Sequence, residues 1–290
     1  MSWTIPDITL NSGNKIPILA FGTAAPFFGT DCSQYISQAL RAGIRHFDTA
    51  QLYSNQESVG KALHQWEGNR QDVYITAKWG LEGDVENDPK SALEETLRLM
   101  ETDYVDMFLM HSPITLSSLS MKKAWAMMEQ LKDQGKCKDI GVSNFGSLDI
   151  KRLSEAWKVV PAMNQIEYSP YNSHDSRSIA AVQICKDHGI AISGFGCLQP
   201  LSLKNEPHPL LSVLAEVSER LNLNEGQILL KWAQQSIGGP VVTITDKTDR
   251  MLEDIHAFQQ QPALSDSVMD QITKAGRGRY YRGYLDPFRP

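Results

Sequence analysis

The chain has no apolar stretch that approaches the roughly 20 residues needed for a membrane-spanning helix. Its first ten residues, MSWTIPDITL, carry neither a basic flank nor a long apolar core, so we expect no secretory signal peptide. The 4 cysteines show neither a metal-ligand spacing nor a disulfide framework. These absences predict a cytoplasmic protein with reduced thiols, no membrane association and no metal site.

Charge blocks and low-complexity segments are also absent. The net charge is -6 with the two signs interspersed, which argues against nucleic-acid binding because that function needs a basic face. No Pro-, Gly- or Ser-rich tract marks a linker between domains. Because α/β barrels of about 250 residues routinely fold as one unit, we expect residues 1–290 to form a single domain.

No GxGxxG motif follows a strand into a helix, so the dinucleotide-binding fingerprint of the Rossmann fold is missing. Short apolar or β-branched runs alternate instead with helical patterns, which is typical of βα units and a parallel sheet. ITL and KIPIL flank the turn-forming NSGN ahead of these units. The sequence therefore predicts an α/β fold, a (β/α)8 TIM barrel with an N-terminal β-hairpin plug and an extra C-terminal helix. The eight predicted strands lie at about 19–22, 45–48, 73–78, 105–111, 139–142, 162–167, 190–195 and 240–244.

Four reactive residue types stand where these predicted strands end. Asp48 and Tyr53 follow the second strand, Lys78 ends VYITAK, and His111 ends YVDMFLMH. In a barrel of parallel strands the carboxyl ends share one rim, and active sites are built on that rim. We therefore expect the four side chains to converge.

Together these four side chains suit proton transfer to a carbonyl oxygen. A free tyrosine has a pKa of about 10 and is a poor proton donor near neutrality unless a positive charge stabilises its anion. Lys78 can supply that charge, and Asp48 can keep the lysine protonated despite burial. A neutral His111 can hold a substrate oxygen by hydrogen bonding. Each residue alone also fits a packing or solvated position, so the hypothesis depends on the combination.

The same residues lie in blocks that resemble, in order, the signatures of the aldo-keto reductase family. The blocks are GIRHFDTAQLYSNQESVG, VYITAKWG, VDMFLMHSP, GKCKDIGVSNF and PAMNQIEYSPY, and the resemblance runs from NSGNKIPILAFGT to RMLEDI. It implies a catalytic set of Asp48, Tyr53, Lys78 and His111. The implied activity is NADPH-dependent reduction of aldehydes or ketones to alcohols, with the proton coming from Tyr53.

The resemblance also implies an extended nicotinamide cofactor lying over the rim. Ser143, Asn144 and Gln165 would hold its carboxamide, although Ser and Asn also cap helices well. Phe195 stands where many members have a tyrosine that stacks on the nicotinamide, and a phenylalanine stacks comparably through its ring face. The full set implied for the cofactor is Gly22, Thr23, Ser143, Asn144, Gln165, Phe195, Leu198, Thr245, Lys247, Arg250, Glu253 and Asp254.

The phosphate-binding segment departs from the common pattern. Many members carry Pro-Lys-Ser after the eighth strand, whereas Ile244 occupies the lysine position here. Lys247 and Arg250 follow at the start of the next predicted helix, where an anion is favoured. This arrangement resembles a fungal branch that includes conjugated polyketone reductases, and it predicts NADPH, with NADH as the alternative cofactor. An ordinary surface charge is the other interpretation of Lys247.

We expect a mostly apolar substrate pocket beside the tetrad, the name used here for Asp48, Tyr53, Lys78 and His111. The aromatic tail RYYRGYLDPFRP either closes over this pocket or packs on the barrel flank. We expect a monomer whose partner is a small carbonyl compound; a cyclic imine reductase and a non-catalytic cofactor-binding module are the alternatives. The residues expected to line the pocket are Ala24, Phe27, Phe28, Trp79, Pro113 and Ile114.

Overall fold

Eight parallel strands close into a barrel, in the order β10-β3-β4-β5-β6-β7-β8-β9. The structure is a computed structural model that describes residues 5–80, 88–113, 119–203, 208–259 and 262–283. The barrel strands are β3 (Leu19–Gly22), β4 (His46–Asp48), β5 (Tyr74–Trp79), β6 (Val105–Met110), β7 (Cys137–Ser143), β8 (Met163–Glu167), β9 (Ala191–Phe195) and β10 (Val241–Thr243). Their bounds lie within two residues of the predicted ones, and the predicted fold class is confirmed.

At least one helix follows each barrel strand, and three lie between β9 and β10. In α3 the positions Ala92, Leu93, Leu97 and Met100, spaced by three and four residues, are all buried. None of the helices in the described ranges is long and apolar enough to cross a membrane. The helices are α1 (Ser33–Ala42), α2 (Gln56–His64), α3 (Pro89–Met100), α4 (Met121–Asp133), α5 (Ser147–Ser154), α6 (Ser176–Asp187), α7 (Gln199–Ser202), α8 (Pro209–Leu221), α9 (Glu225–Ile237), α10 (Thr248–Gln259) and α11 (Asp266–Gly276).

An antiparallel hairpin precedes the barrel and closes one end of it. Strands β1 (Asp7–Thr9) and β2 (Lys15–Pro17) pair as predicted. Leu10 and Ile16 from this hairpin join Met107 and Leu109 of β6 in a buried apolar cluster. That end of the barrel interior is filled, so the carboxyl ends of the strands form the open rim.

Candidate active site

The ends of three adjacent strands bring the four predicted catalytic side chains together. Asp48 is the last residue of β4, and Tyr53 ends the 3₁₀ turn that follows it. Lys78 is the second-last residue of β5, and His111 directly follows β6. Because the three strands are parallel neighbours in the barrel, their carboxyl ends meet at the same part of the rim.

A buried ion pair lies at the centre of this group. The Lys78 Nζ donates to Asp48 Oδ1, and both residues are buried, with exposed fractions of 0 % and 3 %. The second carboxylate oxygen, Oδ2, accepts a hydrogen bond of 2.7 Å from Gln165 Nε2. Both oxygens of this carboxylate therefore have a donor, as a buried charge requires.

The ammonium group also contacts the phenol. Lys78 Nζ donates to Tyr53 Oη and to the Thr49 carbonyl oxygen, each at 3.3 Å. Burial alone lowers the pKa of Lys78, but the Asp48 carboxylate and the Tyr53 phenol outweigh it, and the net pKa is raised. The lysine is therefore a fixed positive charge beside the phenolic oxygen, which stabilises the phenolate over the phenol.

The imidazole of His111 lies beside the phenol. Its ring centroid is 5.7 Å from that of Tyr53, with the two planes at 77°. Burial, and then the Lys78 charge, lower the pKa of His111 to about 3. The imidazole is thus neutral at physiological pH and can donate one hydrogen bond to a carbonyl oxygen held near Tyr53 Oη.

The residues predicted to hold a carboxamide form a linked group next to the tetrad. Ser143 Oγ donates to the Gln165 carbonyl oxygen at 2.9 Å. Asn144 adopts a left-handed backbone conformation (φ 60°), and its Nδ2 donates to the His111 carbonyl oxygen at 3.0 Å. Because Gln165 also binds Asp48, the side-chain amides of Asn144, just after β7, and Gln165, within β8, are positioned by contacts with two of the predicted catalytic residues.

The other rim residues implied for a nicotinamide cofactor lie at the ends of β3 and β9 or just beyond them. Thr23 N donates to the Asp48 carbonyl oxygen at 2.9 Å. A Cβ at Gly22 would lie 2.8 Å from a side-chain carbon of Ile244, so only glycine fits there. Phe195 ends β9 and is half-buried, as is Leu198 just beyond it.

The segment after β10 leads into the first turn of α10. Thr245 is buried, and its Oγ1 accepts from the backbone N–H of Lys247 at 3.1 Å. The side chains of Lys247 and Arg250 are exposed beside the first turn of the helix. The two cations and the positive end of the helix dipole favour an anion here, while the exposed Asp246 and Asp249 in the same stretch oppose one.

Two acidic residues of α10 are held in different ways. Glu253 is exposed, and its carboxylate accepts from Asn224 Nδ2 at 2.9 Å. Asp254 is buried and accepts from Thr243 Oγ1 at 3.2 Å. Burial raises the pKa of Asp254 to about 7. Of the two, Glu253 presents the charge accessible from solvent.

The predicted pocket residues differ in how deeply they are buried. Ala24 and Pro113 are half-buried, Phe28 is exposed, and Phe27 is buried. Trp79 is instead fully buried in the outer apolar cluster between strands and helices, so its placement does not support a role in lining the pocket. Side chains alternate along a strand, and Trp79 directly follows the inward-pointing Lys78. The predicted position Ile114 lies outside the described residues.

The family membership of the chain follows from comparison with known proteins. The model described as "Aldo/keto reductase family" matches residues 19–277. The chain belongs to the aldo/keto reductase family. It is 34% identical, over 95% of its length and 92% of the relative's, to the NADPH-dependent alpha-keto amide reductase of Saccharomyces cerevisiae.

Two solved aldo/keto reductase structures have the same fold. A Brucella melitensis aldo/keto reductase superposes with a TM-score of 0.81 at 31% identity and covers 95% of this chain and 99% of its own. A Bombyx mori aldo-keto reductase in complex with NADP has a TM-score of 0.81 at 26% identity, with 93% and 92% covered.

Sequence reasoning missed one residue of this aldo/keto reductase site. Asn55 is buried, and its Nδ2 donates to the carbonyl oxygens of Thr23 at 2.7 Å and Phe27 at 2.8 Å. These two hydrogen bonds connect the loop after β3 to the turn that carries Tyr53. The only local signal is an Asn before a helix, which predicts an N-cap, yet the side chain makes no cap hydrogen bond to α2.

The described part of the aromatic tail packs on the loop after β8. The Arg279 guanidinium lies 5.5 Å from the ring centroid of Tyr171, and Tyr281 N donates to the Tyr171 carbonyl oxygen. Gly283 N donates to the buried Glu167 carboxylate at 2.8 Å. The tail thus reaches the rim at the end of β8, and residues 284–290 lie outside the described part of the chain.

A separate open cavity of about 490 Å³ lies at the opposite end of the barrel. Its lining includes Lys15 of the hairpin and Arg45 and Tyr74 near the starts of β4 and β5. None of the tetrad residues contributes to it, so this cavity is separate from the group of side chains at the rim.

Proposed function

We propose that this protein reduces aldehydes or ketones to alcohols with NADPH. The observation that carries the proposal is the Lys78 ammonium, which contacts both the buried Asp48 carboxylate and the phenolic oxygen of Tyr53. A neutral imidazole beside that phenol completes a site for one carbonyl oxygen. This arrangement supplies a proton to an oxygen that becomes negative as the carbonyl carbon is reduced.

In the proposed reaction the chain's own residues orient and protonate the substrate. His111 donates a hydrogen bond to the carbonyl oxygen and holds it beside Tyr53 Oη. Tyr53 then transfers its proton to that oxygen, and Lys78 stabilises the phenolate that remains. Asp48 keeps Lys78 charged. The bound nicotinamide cofactor supplies the hydride that the carbonyl carbon receives.

The chain's residues fit a nicotinamide dinucleotide. Two side-chain amides suited to a carboxamide lie next to the tetrad, Asn144 directly after β7 and Gln165 within β8. At the other end of the proposed site, Lys247 and Arg250 flank the first turn of α10. Lys247 and Arg250 would hold the additional phosphate of NADPH through its charge, whereas a free ribose hydroxyl of NADH would gain less from them. NADPH is therefore the proposed cofactor, as the name of the yeast relative and the bound NADP of the silkworm structure also support.

The domain organisation, location and oligomeric state are part of the proposal. Residues 1–290 form one domain, since one barrel spans residues 19–243 and both flanking segments pack on it. We further propose a cytoplasmic monomer that takes a small carbonyl compound, because the 4 free cysteines are all buried and no membrane-spanning helix occurs among the described residues.

The test is the oxidation of NADPH by the purified protein, followed as loss of absorbance, with a panel of aldehydes, α-diketones and keto-lactones, and with cyclic imines as a separate set. We expect turnover with several of these compounds and formation of the matching alcohol. A protein that binds NADPH without oxidising it in the presence of any carbonyl would be a non-catalytic binding module. Turnover restricted to cyclic imines would replace carbonyl reduction by imine reduction.

A further inference from the structure

A line of polar side chains on α9 faces the neighbouring helix α10. Asn224, Gln227 and Lys231 are spaced by three and four residues from the N-cap onward, so they lie on one face of α9. Asn224 Nδ2 donates to the Glu253 carboxylate at 2.9 Å, and Gln227 Nε2 donates to the Glu253 carbonyl oxygen at 2.7 Å. Lys231 Nζ donates to the Ala257 carbonyl oxygen at 2.8 Å. These three side chains, the α9 polar stripe, therefore bind two successive turns of α10.

Lys231 is an unusual residue for its place in the stripe. It is 5% exposed, and its neighbours along the helix, Leu230 and Trp232, belong to the apolar core. Burial lowers the pKa of Lys231, since it disfavours the charged form. A buried ammonium group costs free energy that an apolar side chain of the same length does not, so its presence points to positioning and not to stability alone.

The partner of Lys231 lies at the end of α10 where a cation is most effective. The Ala257 carbonyl group is in the last turn of α10, and such groups have no partner within the helix itself. The negative end of the helix dipole lies at the same place. Lys231 therefore supplies a charged donor that fixes the carboxyl-terminal end of α10 against α9.

The position of α10 determines where the charges at its other end lie. The helix has 12 residues and is about 18 Å long. Thr243 Oγ1, at the end of β10, donates to Asp254 Oδ2 of α10 at 3.2 Å and fixes the middle of the helix. Lys247 and Arg250 are exposed at the first turn, so a tilt of the helix after loss of the Lys231 contact would displace both of them.

We propose that Lys231 is a positioning residue for the cofactor, which fixes α10 so that Lys247 and Arg250 are placed for the additional phosphate of NADPH. The inference rests on the proposed function and extends it to a side chain outside the site. A phosphate bound by two charges depends on the placement of both, whereas NADH lacks this group. Loss of the Lys231 contact therefore weakens NADPH binding more than NADH binding.

The test compares the dissociation constants of NADPH and NADH, measured by fluorescence titration without a carbonyl substrate. Lys231→Met keeps the length of the side chain and removes the charged donor, and Lys231→Arg keeps the donor. Thr273→Val is the matched control, because it breaks a hydrogen bond of 3.1 Å from Trp232 Nε1 that joins α9 to α11 and not to α10. We expect Lys231→Met to weaken NADPH binding relative to NADH binding by about three- to tenfold, in the range typical of mutations outside a binding site. Lys231→Arg and Thr273→Val should keep the wild-type ratio.

Steady-state kinetics give a second measurement that a purely structural role of Lys231 would not reproduce. In Lys231→Met the KM for NADPH should rise, while kcat at saturating NADPH should not fall, because β4, β5 and β6 carry or directly precede the tetrad. A lysine that only stabilises the fold would lower the active fraction, and hence kcat, and leave this KM unchanged. Thermal unfolding checks each variant, and Gln227→Met, which removes another donor of the stripe, takes the place of Lys231→Met if that protein does not fold.

The outcomes separate this inference from the proposed function. An unchanged ratio of the two dissociation constants in folded Lys231→Met, or the same change in Thr273→Val, overturns the inference and leaves carbonyl reduction standing. A wild-type protein that binds NADPH and NADH equally well overturns the proposed cofactor preference and the inference with it. Since binding is measured without a carbonyl compound, a failure to oxidise NADPH with any carbonyl overturns the proposed reaction alone.

Discussion

Replacing Lys78 by Met should damage both the stability and the activity of the protein. The side chain is fully buried, and its removal leaves the Asp48 carboxylate buried, with the Gln165 amide as its remaining described side-chain donor. Removing one partner of a buried ion pair typically destabilises a protein by about 3–5 kcal/mol. Turnover should fall by about 10² or more, because the phenol loses the charge 3.3 Å from its oxygen.

A double variant, Asp48→Asn with Lys78→Met, separates these two effects. With both charges gone, no unpaired carboxylate remains, so we expect it to regain roughly 2 kcal/mol of the free energy of unfolding lost by Lys78→Met. Its turnover should stay as low as that of the single variant. Urea unfolding measures the first quantity and NADPH oxidation the second.

Two results would refute this reasoning. A Lys78→Met protein that loses less than about 1 kcal/mol would show that the buried pair does not have the expected energy. A double variant no more stable than the single one would show that the unpaired carboxylate is not the cause.

Because the folded-state pKa of Lys78 is raised, the pair's stabilisation is present below the unfolded pKa of about 10.4 and is lost only above it. The stability difference between wild type and Lys78→Met should therefore stay constant from about pH 6 to 9.

Three further predictions concern protons and the cofactor. The pKa of His111 is about 3, so we expect no histidine inflection in the pH profile of kcat between about pH 5 and 8; one that disappears in His111→Gln would contradict its neutral role. Burial lowers the pKa of His46 to about 4, so stability present above about pH 6.5 should be lost as the pH falls toward 4, by up to about 3 kcal/mol, and His46→Gln should flatten this dependence in urea titrations. Lys247→Ala should weaken NADPH binding by about tenfold or more and leave NADH unchanged in fluorescence titrations, with the exposed Lys274→Ala as control; equal weakening of both cofactors would mean that Lys247 does not read the extra phosphate.

The sequence predicts the barrel and the convergence at its rim because both follow from local patterns. Each of Asp48, Lys78 and His111 marks the end of a strand, and parallel closure then brings strand ends together. Trp79 directly follows Lys78, and alternation along β5 places its side chain in the apolar cluster between strands and helices. The contact from Gln165 to Asp48 joins residues 117 positions apart, and no local pattern specifies such a bond.

Loop geometry was the least predictable part of the site. Asn55 directly precedes a helix and is of a residue type that commonly forms an N-cap, yet its side chain binds the loop after β3. That loop positions Phe28, whose exposure and contact with Tyr53 depend on two phenylalanines dividing between core and surface. Adjacent identical residues give no sequence signal for which one is buried.

The most direct test of the account is the Tyr53→Phe variant, measured for both carbonyl reduction and NADPH binding. The substitution removes the phenolic proton and leaves the ring that contacts Phe28 and His111. General acid catalysis contributes about 10² to 10⁴ in rate, so turnover should fall by that factor while NADPH affinity stays within a few-fold of wild type. A variant that kept more than about a tenth of the wild-type turnover would contradict the assignment of Tyr53 as the proton donor.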